Sequence, residues 1–203
     1  MELLPKEFYL NSNVCQIAKK LLGKKLCTNI NGYFTSGIIV ETEAYQAPED
    51  KASHAYNFRK TERNQTMYKQ GGIAYIYICY GIHHLFNVVT NTEGVPHAVL
   101  IRAIEPIDGI DIILKRKNKT MLSKNLCSGP GALSSALGIT NSFNGINLNS
   151  ESVFILDFAD INESEIISCP RIGVDYAGEH ALWNYRFYIK NNKWVSKQSK
   201  IKY

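Results

Sequence analysis

The chain has 203 residues, of which 45% are hydrophobic, 11% aromatic and 20% charged, the composition of an ordinary soluble domain with enough apolar mass for a sizeable core. One domain spanning residues 1–203 is expected, and no stretch reaches the roughly 18 to 20 uninterrupted apolar residues that a membrane-spanning helix needs. The formal net charge of +5 favours an anionic partner without naming one, because many proteins with no nucleic-acid role are equally basic.

The start, Met1-Glu2-Leu3-Leu4-Pro5-Lys6, has neither the basic region nor the long apolar run of a secretory signal, so a cytoplasmic protein is expected. After Asn11-Ser12, a good helix cap, Val14, Ile17, Ala18, Leu21 and Leu22 recur at helical spacing until Gly23. That pattern predicts an amphipathic helix on the core. Residues 25–28 and 33–43 then read as strands around Asn29-Ile30-Asn31-Gly32, since Asn-Gly is a strong hairpin signal. Residues 46–70 are polar and irregular, a long loop with room for helical turns, and loops of this length inside a domain are commonly functional or disordered.

Residues 73–80 and 84–90 form a predicted β-hairpin joined at Gly81-Ile82-His83, and residues 99–103 form another strand. A helix is predicted from Pro106 to about Lys117, and a shorter one after Gly129-Pro130-Gly131, ended by Gly138. Strands return at residues 153–158 and 186–189. Strands in hairpins with helices between them predict an α+β fold, a single mixed domain with a curved, largely antiparallel sheet, flanking helices and a protruding hairpin. No G-x-G-x-x-G opens a helix after a strand, so no dinucleotide site is expected.

Cys15, Cys27, Cys79, Cys127 and Cys169 lie far apart with no C-x-x-C pair, which suggests neither a disulfide framework nor a zinc cluster. His83-His84 on a strand would point to opposite faces, so no metal is expected. Two basic blocks, Lys115-Arg116-Lys117 with Lys119 and Lys124, and Lys190, Lys193, Lys197, Lys200 and Lys202, are either phosphate-tracking surfaces or solvated faces.

Glu41, Glu43 and Tyr45 share one face of a regular strand. Two carboxylates there are costly to bury and unremarkable if exposed, so the pattern alone leaves both readings open. In Tyr-Ile-Tyr-Ile-Cys-Tyr-Gly, alternation brings Tyr75 and Tyr77 together and displays Tyr80 at the hairpin tip. Such density suits base stacking and equally suits a tyrosine-rich packed sheet.

The run Ile39-Val40-Glu41-Thr42-Glu43-Ala44-Tyr45, with Pro48-Glu49-Asp50, Ser53-His54-Ala55, Arg63-Asn64, the tyrosine hairpin, Asn87 and Leu100-Ile101-Arg102-Ala103, resembles the alkyladenine (3-methyladenine or methylpurine) DNA glycosylase family. The resemblance continues through Ser128-Gly129-Pro130-Gly131, Pro170-Arg171-Ile172-Gly173-Val174 and Arg186-Phe187-Tyr188, so it spans nearly the whole chain. It implies that Glu43 is the general base for the attacking water, with Arg102 and the backbone carbonyl of Ile172 around that water. It also implies that Tyr45, His54 and Tyr77 hold an extruded base, that Asn87 screens purines by their exocyclic groups, and that Tyr80 fills the hole left in the duplex. Glu41 is then a structural partner or an exposed strand carboxylate.

The family works as one domain without metal or organic cofactor. The expected partner is double-stranded DNA carrying a damaged purine, met by a monomer in the cytoplasm or nucleoid. Glu62 stands where proline is common in the family, and the Asn87 to Arg102 spacing is slightly longer than in vertebrate members. Two other readings share the same residues: a non-catalytic nucleic-acid binding module and a hydrolase of free nucleosides.

Overall fold

A computed structural model describes residues 2–196; Lys197, Lys200 and Lys202 lie outside the described residues. The first helix, α1 (Val14–Lys20), is capped by Asn13 rather than by Asn11-Ser12, because the Asn13 side chain accepts the Gln16 N–H at 3.0 Å. Asn11 instead shapes the approach, accepting the Asn13 N–H at 2.8 Å. Val14, Ile17, Ala18, Leu21 and Leu22 are all buried, as the periodicity predicts.

Strands β1 (Lys25–Ile30) and β2 (Tyr33–Gln46) form the first hairpin. The hairpin β3 (Ala74–Cys79) and β4 (His83–Thr90) follows the long loop, which contains two short 3-10 turns, Tyr56–Phe58 and Gln65–Tyr68. Strand β5 (His97–Asp108) runs longer than expected and overturns the predicted helix start at Pro106. Pro106 pairs with Gly37 beside the unpaired Ile107, at a register shift where a missing N–H is tolerated. The helix α2 (Ile110–Arg116) begins only after Gly109.

Helix α3 (Pro130–Leu137) starts at Pro130, inside the Gly129-Pro130-Gly131 segment expected to precede it, and ends before Gly138 as expected. Strands β6 (Val153–Leu156), β7 (Ile166–Cys169) and β8 (Arg186–Ile189) complete the sheet; β7 was not predicted, whereas the bounds of β8 match the expectation. Among the described residues every strand pair is antiparallel, in the order β3-β4-β5-β2-β1-β6, with β8 joining β2 to β7. The fold is α+β, and no helix among the described residues is long and apolar enough to cross a membrane.

β2 is the spine. Its first half pairs with β1 and its second half with β8 on the same edge, while β5 runs along the other edge. One face of this sheet carries α1 and α3 in a core cluster drawing residues from Leu4 to Trp194. The Thr42 hydroxyl donates to the Ala18 carbonyl at 2.9 Å, and the Thr28 hydroxyl to the Leu137 carbonyl at 2.8 Å, which seats both helices. Two small satellite clusters cover the opposite face, built from the long loop and the segment after β7.

Gly109 links β5 to α2 with φ +65, and a β-carbon there would collide with the Phe34 carbonyl oxygen and the Thr35 side chain. Gly109→Ala is expected to destabilise the protein by at least ~2 kcal/mol. Urea unfolding should show a lower midpoint at unchanged slope, and an unaltered midpoint would contradict the close approach.

Candidate active site

Directly paired residues of antiparallel strands stand on the same face. Tyr75 pairs with Asn87, Asn87 with Leu100, Leu100 with Glu43 and Glu43 with Arg186, so one row crosses β3, β4, β5, β2 and β8. Two residues along, Tyr45 lies opposite Ala98 and Tyr77 opposite Leu85 on that face. The register therefore brings a carboxylate from the spine and aromatics from the hairpin to one wall.

Glu43 has no solvent exposure. Its Oε1 accepts the Ile172 N–H at 2.8 Å, and its Oε2 accepts the Tyr45 hydroxyl at 2.8 Å and faces Arg102 Nη1 at 3.3 Å. Arg102 is the unpaired residue of a bulge in β5, offset by a matching shift at Val40 in β2; such bulges re-aim side chains. Its Nε donates to Glu41 Oε1 at 3.0 Å, so one guanidinium bridges both carboxylates.

Glu41 is equally buried, accepting Arg186 Nε at 2.7 Å and both the N–H and the hydroxyl of Ser196 at 2.7 and 2.8 Å. It is a structural partner, not an exposed strand carboxylate. Burial opposes the charge on Arg102, but Glu43 and Glu41 outweigh it and hold its pKa above the ordinary guanidinium range. Burial, reinforced by the charge of Glu43, pushes the Tyr45 phenol well above its ordinary range, so it remains a donor.

Above this cluster lies a cavity of ≈ 240 Å³. Tyr45, His54, Tyr77, Tyr80, Asn87, Arg102 and Ile172 all stand on its wall, whereas Glu43 sits one layer behind Tyr45, Arg102 and Ile172. Clefts of ≈ 540 and ≈ 700 Å³ elsewhere on the surface contain none of these residues. For Ile172 the expectation concerned its carbonyl, but the group touching Glu43 is its N–H.

His54 Nδ1 and the Tyr75 hydroxyl are hydrogen-bonded at 2.9 Å, and the imidazole stands edge-on to Tyr77 with ring centres 4.6 Å apart. Burial first, then the charges of Arg63 and Arg59, push the His54 pKa down to about 4, so the ring is neutral near pH 7. Asn87 uses its amide nitrogen on the carbonyls of Tyr75 and Leu85, both at 3.1 Å. Tyr80 stands at the hairpin tip, 91% exposed.

Sequence reasoning missed the group that ties the walls together. The Arg171 side chain is fully buried, paired with Asp50 through both terminal nitrogens, and donates to the Ala44 and His180 carbonyls at 2.8 and 3.1 Å. Its guanidinium lies over the rings of Tyr45 and Tyr185, at 4.8 and 5.3 Å. It thus fixes Tyr45, the loop bearing His54 and the peptide of Ile172 at once. Asp50 and Arg171 both stand in the motifs that carry the resemblance, yet nothing in the sequence pairs residues this far apart. Of the remaining histidines, His180 stacks on Trp183 and accepts the Lys51 N–H at 3.0 Å, and His84 accepts the Asn141 N–H at 3.1 Å.

Residues 7–193 match the sequence model of the methylpurine-DNA glycosylase family. A protein of Chlamydia abortus named "Putative 3-methyladenine DNA glycosylase" is 50% identical over 192 residues, covering 93% of this chain and 100% of that protein. A Bacillus cereus protein of the same name is 46% identical over 203 residues, covering 96% and 98% respectively. These matches define the class: the chain is a DNA glycosylase, a DNA-binding hydrolase of base-excision repair. It belongs to the methylpurine-DNA glycosylase family.

The neutral His54 gives the site a pH signature. Its pKa of about 4 lies below the ordinary 6.5, so between those values the unfolded chain binds the extra proton. This contribution to stability is complete above pH 6.5 and is lost as pH falls toward 4, by up to about 3 kcal/mol. His97, also held neutral first by burial, acts in the same direction. His54→Gln should therefore lose less stability between pH 7 and pH 5 than the unaltered protein, and parallel losses in urea unfolding would refute the assignment.

Proposed function

We propose that this glycosylase flips an alkylated or deaminated purine, of the 3-methyladenine, 7-methylguanine and hypoxanthine class, out of duplex DNA and hydrolyses its N-glycosidic bond. The observation that carries the reading is Glu43: a fully buried carboxylate behind the wall of a largely aromatic cavity, held by the Ile172 N–H, the Tyr45 hydroxyl and the Arg102 guanidinium. An ionised carboxylate has about four acceptor sites. Ile172 uses one on Oε1 and Tyr45 one on Oε2, which Arg102 faces as an ion pair. Of the open sites, the one on Oε1 beside Ile172 lies away from the Arg102 guanidinium and is the place we assign to the attacking water.

A base inside a duplex is unreachable, and extruding it costs a few kcal/mol, least when it is damaged or mispaired. Tyr80, exposed at the hairpin tip and bordering the cavity, fills the gap left behind. The extruded base enters among Tyr45, Tyr77 and His54. A cationic alkylated purine gains cation–π attraction there that an undamaged base lacks, and a neutral His54 does not repel it. Asn87, pinned through its amide nitrogen, presents an unyielding side chain to exocyclic substituents.

Cleavage develops positive charge on the sugar. Glu43 stabilises that charge and takes a proton from the water, which attacks the sugar carbon as the bond to the base nitrogen breaks and leaves an abasic site. Arg102 keeps the carboxylate aimed. A cationic base departs without further protonation, whereas hypoxanthine requires a proton donor. Among the described residues no lysine lines the cavity to form a Schiff base, and the proposed reaction is hydrolysis to the abasic site without strand incision. Carboxylate, pocket and wedge all come from one chain, and the working unit is a monomer.

Glu43→Gln should still bind duplex carrying a single hypoxanthine while single-turnover excision falls by about a hundredfold or more. Alkali treatment reveals the abasic product, and near-normal strand cleavage in that variant would remove Glu43 from the mechanism. Tyr80→Ala separates the duplex reading from hydrolysis of free nucleosides. Excision from duplex should drop at least about fivefold at subsaturating enzyme with folding retained. Undiminished duplex activity would favour a nucleoside substrate.

A further inference from the structure

Among the described residues, seven other than glycine hold a positive φ: Asn31, Asn57, Phe58, Tyr80, Asn91, Asn118 and Asn191. Five are asparagine, whose short polar side chain tolerates the left-handed region. The other two are aromatic, Phe58 at φ 57 and Tyr80 at φ 51. A bulky residue in that region is strained, and burial of its ring could offset the strain. Neither ring is buried: Phe58 is 60% exposed and Tyr80 91%. The strain at Tyr80 fits its proposed place in the duplex, but nothing in the cavity accounts for Phe58.

Phe58 lies in an exposed run, residues 56–63, between the buried Ala55 and Asn64. The run is built, not loose. Asn64 donates to the carbonyls of His54 and Arg59 at 2.8 and 2.7 Å and accepts the Thr61 N–H at 2.7 Å, while the Asn57 N–H donates to the Pro48 carbonyl at 2.9 Å. Arg63 fastens this loop to the wedge hairpin, donating to the Ile78 carbonyl at 3.1 Å and lying over the Tyr77 ring.

Phe58 follows His54 by four residues, so their α-carbons are at most about 14 Å apart, roughly four base steps of a duplex. Arg59, Lys60 and Arg63 flank it, with Glu62 the one acid of the run. An exposed aromatic ring among cations, beside the mouth of a base pocket, suits a partner whose flat apolar rings are threaded on an anionic backbone.

We propose that Phe58 is a second wedge on duplex DNA, stacking at a base step within about four steps of the extruded nucleotide while Arg59 and Lys60 meet the flanking phosphates. This rests on the reading of the cavity as the receiver of a base flipped from duplex. Tyr80 and Phe58 then use one device: a strained backbone that keeps a ring off the protein surface and ready for the stack.

The test is Phe58→Gly, because glycine adopts the left-handed conformation freely and removes the ring. Urea unfolding should show stability equal to or above that of the unaltered protein. Affinity for a duplex containing one tetrahydrofuran abasic-site analogue should weaken at least about fivefold, the equivalent of about 1 kcal/mol of lost stacking. Phe58→Trp should keep the affinity, and its added emission, beyond that of Trp183 and Trp194, should be quenched by the duplex. Unchanged affinity in the glycine variant, or an added tryptophan emission indifferent to DNA, overturns the second wedge and leaves the reading of Glu43 and Tyr80 standing. Failure of the unaltered protein to bind the duplex overturns both.

Discussion

Two carboxylates on one face of a central strand can be buried only if cations are buried with them. Glu41 and Glu43 meet this constraint through Arg102 and Arg186, and the rest of the site follows from the solution. A single buried carboxylate left without its partner would cost about 3 to 5 kcal/mol, so the four charges stand or fall together. Arg102 reaches both acids because β5 bulges at that residue, Arg186 arrives because β8 pairs along the same segment of β2, and Ser196 closes the far side of Glu41. The sheet topology around β2 supplies the counter-charges at the point where the acids are buried.

Much of this architecture was legible in the chain. The apolar spacing of α1, the Asn-Gly turn between β1 and β2, the tyrosine hairpin and the bounds of β8 all carry local signals, and local signals survive folding. Pro106 misled because its rule, favouring helix starts, competes with a second one, tolerance at a strand bulge, and only the pairing partner decides. Alternation put Glu41, Glu43 and Tyr45 on one face but could not say whether that face was wet. Solvent exclusion depends on the long loop, the segment after β7 and Ser196 packing over that face, and no residue of β2 reports which segments will do so.

The choice between the two acids shows the same limit. Strand periodicity treats Glu41 and Glu43 alike; their difference lies in what surrounds them. Glu41 accepts four hydrogen bonds, from Arg102, Arg186 and both groups of Ser196, whereas Glu43 accepts two, from Tyr45 and the Ile172 N–H, and is ion-paired with Arg102. On the proposed reading, the acid with fewer hydrogen bonds holds the water and the more heavily bonded one holds Arg102. The family resemblance pointed to Glu43 without giving a physical reason, and the smaller number of bonds on Glu43 supports that proposal.

Charge and rigidity are distributed in the same sense. The carboxylate belongs to a strand paired along both edges, whereas the wall combines strand rings, Tyr45 and Tyr77, with His54 from the long loop. Groups on strands are held more closely than groups on loops, which suits the proposed roles of Glu43 as an aimed carboxylate and of His54 as part of a pocket that admits a substrate. Arg171 reconciles the two requirements. Its fork on Asp50 fastens the loop carrying His54, and its contact with the Ala44 carbonyl references that loop to the peptide beside Glu43. The loop that carries His54 is thus referenced through one buried guanidinium to the same strand that carries the carboxylate.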